Sequence, residues 1–385
     1  LFMKNNSYSL SYIRVLYAMW LVRTVLSYLL TYRKSLLIAD QKEYIASITG
    51  LILNVVSYLA IILLVTWEQN YLLALGIGTV TEVVLNIWIS WYVEQKYPFL
   101  RQRRKEKSTS SLTKRIVRDL KSLFISRISE KMLYCTDNLI ISGFIGVGTV
   151  GRYANYCMIT QAISNILTIL ANTIQPTVGD YFTEKNRQRN YEILRQLTFG
   201  FFCIASVLSV GLFSLITPFV RDIWLGPSYE LGWGITVFCI VVLLVRIMGL
   251  PLSLVMGVTG LFEKEKNVGA SSALLNLIVS LALVKPYGMA GVLLGTLLSY
   301  LLQILYRYII YFRDFLEMPG EALRYAQDIG EYLAVIAGEV LLMQKIVPLI
   351  YGAGGMLLFC VCFLLCIAIP LLLDLVIFGR GWRLQ

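Results

Sequence analysis

One apolar stretch of the sequence carries charges that a membrane would penalise. "FISRISEKMLYCTDNLIIS", residues 124–142, has the length of a membrane span yet contains four ionisable side chains. On a helix, its polar residues fall within an arc of about 60°: Arg127, Lys131, Tyr134 and Asn138, with Glu130 and Asp137 on the flank. An Arg and a Lys on one face predict a site for an anion such as phosphate. The alternative is that both bases snorkel to the nearby interface.

The next apolar stretch carries a second polar stripe, made of amides and a hydroxyl. Its members recur at helical spacing within an arc of about 80°: Gln161, Asn165, Thr168, Asn172 and Gln175. Such side chains can hydrogen-bond the hydroxyl groups of a sugar, or they can join helices by hydrogen bonds within the bundle. Because two adjacent spans each carry a stripe, we expect both to face one hydrated cavity.

Further ionisable residues lie deep in apolar windows. Arg23 and Arg246 are nearly central in theirs, and Glu82 is either a counter-ion for Arg23 or a site for a coupling proton. Glu130 and Asp137 have the same two alternatives. Four others complete the set, of which the last three are expected to be interfacial or helix-pairing groups: Glu339, Arg307, Lys345 and Asp374.

The composition predicts the elements that carry these residues. Of 385 residues, 57% are hydrophobic and only 15% are charged, and the mean hydropathy is +0.70. Apolar windows of about 20 residues recur along the whole chain, which predicts an all-α polytopic membrane protein rather than a barrel of short alternating strands. About eleven such windows are predicted: 9–32, 44–67, 71–93, 122–146, 150–177, 197–219, 232–256, 268–286, 289–312, 330–350 and 354–378.

The distribution of Lys and Arg along the chain predicts the orientation of the protein in the membrane. They concentrate in the connections that follow the odd-numbered windows, so these connections and the C-terminal tail are expected in the cytoplasm. Residue 1 is then outside. Because the chain starts outside without a signal peptide, we expect about three N-terminal helices to be missing.

A basic polar segment divides the chain. "RQRRKEKSTSSLTKR", residues 101–115, separates three predicted spans from eight. We therefore predict four parts, which follow the two-bundle plan of many transporters: a remnant of an N-terminal bundle at 1–100, a cytoplasmic linker at 101–121, a six-helix bundle at 122–312, and an appended helix pair with the tail at 313–385. In the bundle, Gly291, Gly295 and Ser299 recur every four residues and predict close helix packing.

Catalytic and cofactor sites are not expected. The chain has no His, no phosphate-binding glycine loop and no nucleophile–base arrangement. Cys362 and Cys366 share a helix face but have no carboxylate cluster beside them, so no metal site is predicted. The net charge of +11 follows from the cytoplasmic loops, which argues against nucleic-acid binding.

Several stretches carry a resemblance to a known family. "TDNLIISGFIGVGTVGRYANY" (residues 136–156), "WLGPSYEL" (224–231) and "SSALLNLIVSLALVKPYGMAGVLLGTLLSYLL" (271–302) resemble the polysaccharide-repeat flippases of the multidrug/oligosaccharidyl-lipid/polysaccharide exporter superfamily. "YRKSLLIADQKEYI" (32–45) is similar to the Gram-positive capsule and exopolysaccharide branch.

The resemblance implies a two-bundle exporter fold in the plasma membrane and a transporter rather than an enzyme. The expected substrate is an undecaprenyl-diphosphate-linked oligosaccharide, carried from the inner to the outer leaflet by alternating access. Membrane lipids, a glycan polymerase and glycosyltransferases are the other expected partners. The expected site residues follow: Arg23, Arg127 and Lys131 for the diphosphate, and Tyr134, Asn138, Gln161, Asn165 and Asn172 for the glycan.

Two other functions stay open at this point. A drug or cation antiporter of the same superfamily would share the fold, but its cavity should be acidic, whereas the candidate groups here are mainly basic. A membrane glycan polymerase would be an enzyme with a large outer loop, and the longest predicted outer connection, residues 220–231, is short.

Overall fold

A computed structural model describes residues 10–29, 33–40, 42–68, 71–101, 135–182, 186–259, 261–352 and 354–382. Within these ranges the chain consists of helices and their connections, which confirms the predicted all-α class. The residues form two compact units, within 6–113 and within 114–385. We call them the N-terminal and the C-terminal unit.

The N-terminal unit contains four helices: α1 (Leu10–Leu29), α2 (Lys34–Ala39), α3 (Glu43–Glu68) and α4 (Tyr71–Lys96), followed by a 3-10 turn at Pro98–Arg101. Helix α4 packs against both α1 and α3. The small buried core of this unit consists of Leu37, Ala46, Ile89 and Val93. Outside the apolar segments, Asp40 accepts hydrogen bonds from Lys42 and Tyr97, which lower the pKa of its carboxyl.

The described residues of the C-terminal unit form eight helices: α5 (residues 135–144), α6 (Val147–Phe182), α7 (Arg187–Pro218), α8 (Trp233–Val258), α9 (Phe262–Tyr287), α10 (Met289–Ile310), α11 (Pro319–Tyr351) and α12 (Met356–Trp382). Short π-helical turns at Phe219–Trp224 and Tyr311–Leu316 extend α7 and α10. Helix α7 is central, because α8, α11 and α12 all pack against it. The predicted boundary between 122–312 and 313–385 stays a prediction.

Nine helices of the described ranges are long and apolar enough to cross a membrane. They coincide with nine of the predicted windows. The first predicted window is the helix α1, which contains Arg14 and Arg23 and is not among the nine. The fourth lies mostly outside the described residues, which resume at residue 135.

The small-residue spacing in α10 has the predicted effect. Helices α9 and α10 form the most extensive helix pair of the structure. A Cβ atom on Gly291 would overlap the carbonyl oxygen of Leu283, and one on Gly295 would overlap the hydroxyl of Ser280. Ser299 donates a hydrogen bond to the carbonyl oxygen of Ser272 at 2.9 Å. Glycine is therefore required at both positions for the two backbones to approach this closely.

Candidate functional site

Asp137 is the best-defined candidate among the described residues. It lies in α5, and only 4% of its surface is exposed. Its Oδ2 accepts a hydrogen bond from Thr296 Oγ1 at 2.7 Å, and the same hydroxyl accepts one from Asn276 Nδ2 at 2.9 Å. Helices α5, α9 and α10 thus place three polar side chains at one buried point, which we call the Asp137 cluster.

The cluster is not saturated with hydrogen bonds. Asp137 Oδ1 and Asn276 Oδ1 are buried and have no hydrogen-bond partner within the described part of the chain. Ser280, one turn from Asn276, donates to the Val292 carbonyl oxygen at 3.2 Å. Because buried polar atoms are nearly always partnered, these two unpartnered oxygen atoms indicate a place for a proton, a cation or water.

A cavity of about 70 Å³ opens beside the cluster. Side chains of α5, α6, α8 and α10 surround it, and the polar ones are Asp137, Asn138, Tyr153, Thr160, Gln161, Ser164, Arg246, Thr296 and Tyr300. This volume holds several water molecules and is too small for an oligosaccharide. The cavity can therefore hydrate Asp137 or deliver an ion to it, and its lining combines a carboxylate with a guanidinium.

The structure brings together some of the predicted site residues. Asp137, Asn138 and Gln161 line the same cavity, so part of each predicted polar stripe does face a shared space. Asn165 and Asn172 lie further along the same face of α6 and are exposed, but they do not line this cavity. Arg127, Glu130, Lys131 and Tyr134 lie outside the described residues, so their roles stay predictions.

Arg23 and Glu82 pair within the N-terminal unit. Arg23 Nε in α1 donates to Glu82 Oε2 in α4 at 2.7 Å, and each side chain is 37% exposed. Gly78, one turn before Glu82, leaves room for the guanidinium, because a Cβ there would lie 3.0 Å from Arg23 Nη1. The contact corresponds to the alternative in which Glu82 is the counter-ion of Arg23. The role of Arg23 in substrate binding stays a prediction.

Sequence reasoning did not find the partners of Asp137. Asn276 lies at four-residue spacing between Ser272 and Ser280, and Thr296 precedes Ser299 and Gln303 on one face of α10, but neither set was recognised as a polar stripe. The available signals were this polar spacing and the glycine spacing of α10, since Thr296 follows Gly295 directly and contacts Asn276 of α9.

Known proteins resemble this chain both in sequence and in fold. Residues 1–182 match the family model "Polysaccharide biosynthesis protein". A search of curated proteins found no match. Among solved structures, the chain is similar to lipid II flippase MurJ in an inward closed conformation, with a TM-score of 0.62 and 16% identity over 91% of this chain and 71% of that chain. The chain is thus a multi-pass membrane protein that shares the fold of this flippase, and its first 182 residues are similar to the polysaccharide-biosynthesis family.

Proposed function

We propose that the protein flips a lipid-linked oligosaccharide, namely an undecaprenyl-diphosphate-linked repeat unit, from the inner to the outer leaflet for capsule or exopolysaccharide synthesis. The observation that carries this proposal is the fold shared with a lipid II flippase, in a chain whose first 182 residues match the polysaccharide-biosynthesis family. Two helical bundles that alternate in access would carry the substrate. The protein acts as a transporter and not as an enzyme, with the C-terminal tail in the cytoplasm.

The substrate would be held by the two polar stripes. Arg127 and Lys131, with Arg23, contact the diphosphate, and Tyr134 and Asn138 continue that face towards the glycan. The exposure of Gln161, Asn165 and Asn172 on one face of α6 supports their role as glycan contacts. The outward movement of an anionic diphosphate is favoured by an inside-negative membrane potential, by about 2.3 kcal/mol per charge per 100 mV.

Asp137 would provide the coupling site. Its unpartnered carboxylate oxygen, the amide oxygen of Asn276 and the hydroxyl of Thr296 are oxygen ligands that suit a proton or a hard cation. Release of that ion would leave a buried charge without compensation, which favours a different packing of α5, α9 and α10. Glu130 is the other candidate carboxylate for this role, whereas Glu82 is paired with Arg23 as its counter-ion.

Deletion of the gene tests the function. We expect lipid-linked repeat units to accumulate on the inner leaflet, because their synthesis continues while their transfer stops. The measurement is the fraction of these lipids that is accessible to an impermeant glycan-modifying enzyme in intact cells. Unchanged accessibility would contradict the proposal. Drug sensitivity without lipid accumulation would favour the antiporter, and fully flipped but unpolymerised units would favour the polymerase.

Substitution of Arg127 tests the diphosphate contact. A charged hydrogen bond contributes about 1.5–3 kcal/mol, so Arg127→Gln should reduce flipping roughly ten-fold or more without lowering abundance. Arg127→Lys should recover only part, because the planar fork is lost. If the residue merely snorkels, Lys will substitute fully and Gln will alter insertion more than transport. Flipping and protein abundance, measured together, separate these outcomes.

A further inference from the structure

A second pair of buried carboxylates lies where α7, α11 and α12 pack together. Glu339 of α11 is 3% exposed, Asp374 of α12 is 2% exposed, and Ser206 of α7 is completely buried. Ser206 Oγ donates to Glu339 Oε2 at 2.6 Å. The two carboxylates are close enough to interact electrostatically. None of these residues belongs to the Asp137 cluster or lines its cavity.

These carboxylates lack compensation. Glu339 Oε1 and both carboxylate oxygens of Asp374 are buried without a hydrogen-bond partner among the residues that the structure describes. The ion pairs of the described residues include neither side chain. On α7, the other titratable group that interacts with both carboxylates is Cys203. Among the described residues, the two carboxylates therefore receive one hydroxyl hydrogen bond and form no ion pair.

The burial of Asp374 is built into α12. The buried residues of this helix recur every four positions, as Cys362, Cys366, Pro370 and Asp374, while Leu371, Leu372, Leu375 and Val376 are exposed. Asp374 thus points into the contact with α7, not towards the interface, which corrects the interfacial alternative. One turn beyond it, an aromatic cluster closes the contact. The rings of Phe202 and Tyr332 are stacked with centroids 4.4 Å apart, and Phe378 packs on Tyr332 at 5.3 Å.

Two buried carboxylates that interact in such a place are unstable when both are ionised. Each loses its hydration, and each repels the other. One bound proton neutralises one carboxylate and lets it donate a hydrogen bond to the other, whereas one bound Na⁺ offsets the repulsion and is coordinated by oxygen atoms of both. We propose that Glu339, Asp374 and Ser206 form a second cation site, for a single H⁺ or Na⁺, that holds α11 and α12 against α7.

Thermal unfolding of the purified protein tests this site. The experiment starts from the variant Asp137→Asn, so that an ion bound at the proposed coupling site does not contribute to the unfolding midpoint. We expect its unfolding midpoint to fall by several degrees when Na⁺ is replaced by choline at alkaline pH, because the carboxylates then lose their ion. A response to Na⁺ at fixed pH identifies Na⁺, and a response to pH at fixed Na⁺ identifies H⁺. Adding Glu339→Gln and Asp374→Asn should abolish the response.

Equal responses with and without the two substitutions would overturn the proposal, as would no response in either protein. If the protein with the two added substitutions does not fold, labelling with an apolar carbodiimide is the alternative experiment. This reagent modifies protonated carboxyl groups, and it is applied to the protein that keeps Glu339 and Asp374. Labelling of Glu339 or Asp374 at acidic pH that declines at higher pH, or on addition of Na⁺, supports the site. Labelling that neither pH nor Na⁺ changes contradicts it. This site does not depend on the proposed substrate, so either proposal can fail alone.

Discussion

Asp137→Asn is expected to reduce transport of the lipid-linked substrate by roughly ten- to a hundred-fold while the protein remains folded and inserted. Asn has the same shape and keeps an oxygen atom that can accept the hydrogen bond from Thr296, so the packing of α5 against α10 is retained. The substitution removes the charge, and with it a charge-assisted interaction of about 1.5–3 kcal/mol with the coupling ion. Flipping should be measured in cells or vesicles and normalised to protein abundance.

Two further variants locate the effect in the cluster. Thr296→Ser keeps the hydroxyl that joins Asp137 and Asn276 and should preserve transport, whereas Thr296→Val removes it and should reduce transport. Glu331→Gln is the matched control, because it removes the same charge from an exposed position of the same unit. Normal transport by Asp137→Asn, or an equal loss in Glu331→Gln, would contradict the coupling role.

Gly291→Ala is expected to destabilise the C-terminal unit by about 1–3 kcal/mol. The added methyl group would overlap the carbonyl oxygen of Leu283, which belongs to the backbone of α9 and cannot rotate away. The two helices would have to separate along their most extensive contact. The measurement is the thermal unfolding midpoint in detergent, where a loss of this size corresponds to several degrees.

Gly211→Ala is the matched control for this prediction. Gly211 also lies inside a long apolar helix, but a Cβ there would meet no atom within 4 Å. Alanine is a better helix former than glycine by up to about 1 kcal/mol, so this variant should be as stable as the parent or slightly more stable. If both variants have the same midpoint, the tight contact between α9 and α10 does not contribute to stability.

The sequence was sufficient to predict the helices and most of their bounds. An apolar segment in a membrane must satisfy its own backbone hydrogen bonds, so windows of suitable length can only be helices in such a chain. The same holds for local spacing. Gly291, Gly295 and Ser299 are four residues apart, and this places them on one face of α10 in any structure that contains the helix. Their close packing against another helix could therefore be predicted.

The partners across the bundle were decided by the tertiary structure alone. Asp137 bonds Thr296, which is 159 residues away, and Ser206 bonds Glu339, which is 133 residues away. Periodicity gives the face on which a residue lies, but it does not give the helix that this face meets. For that reason the sequence placed Asp137 beside an exposed polar stripe, whereas packing buries it against α10 and leaves Asn138 exposed. For Asp374, the sequence was compatible with either an interfacial or a helix-pairing role. Only one face of α12 is buried, and Asp374 lies on that face, which indicates the helix-pairing role.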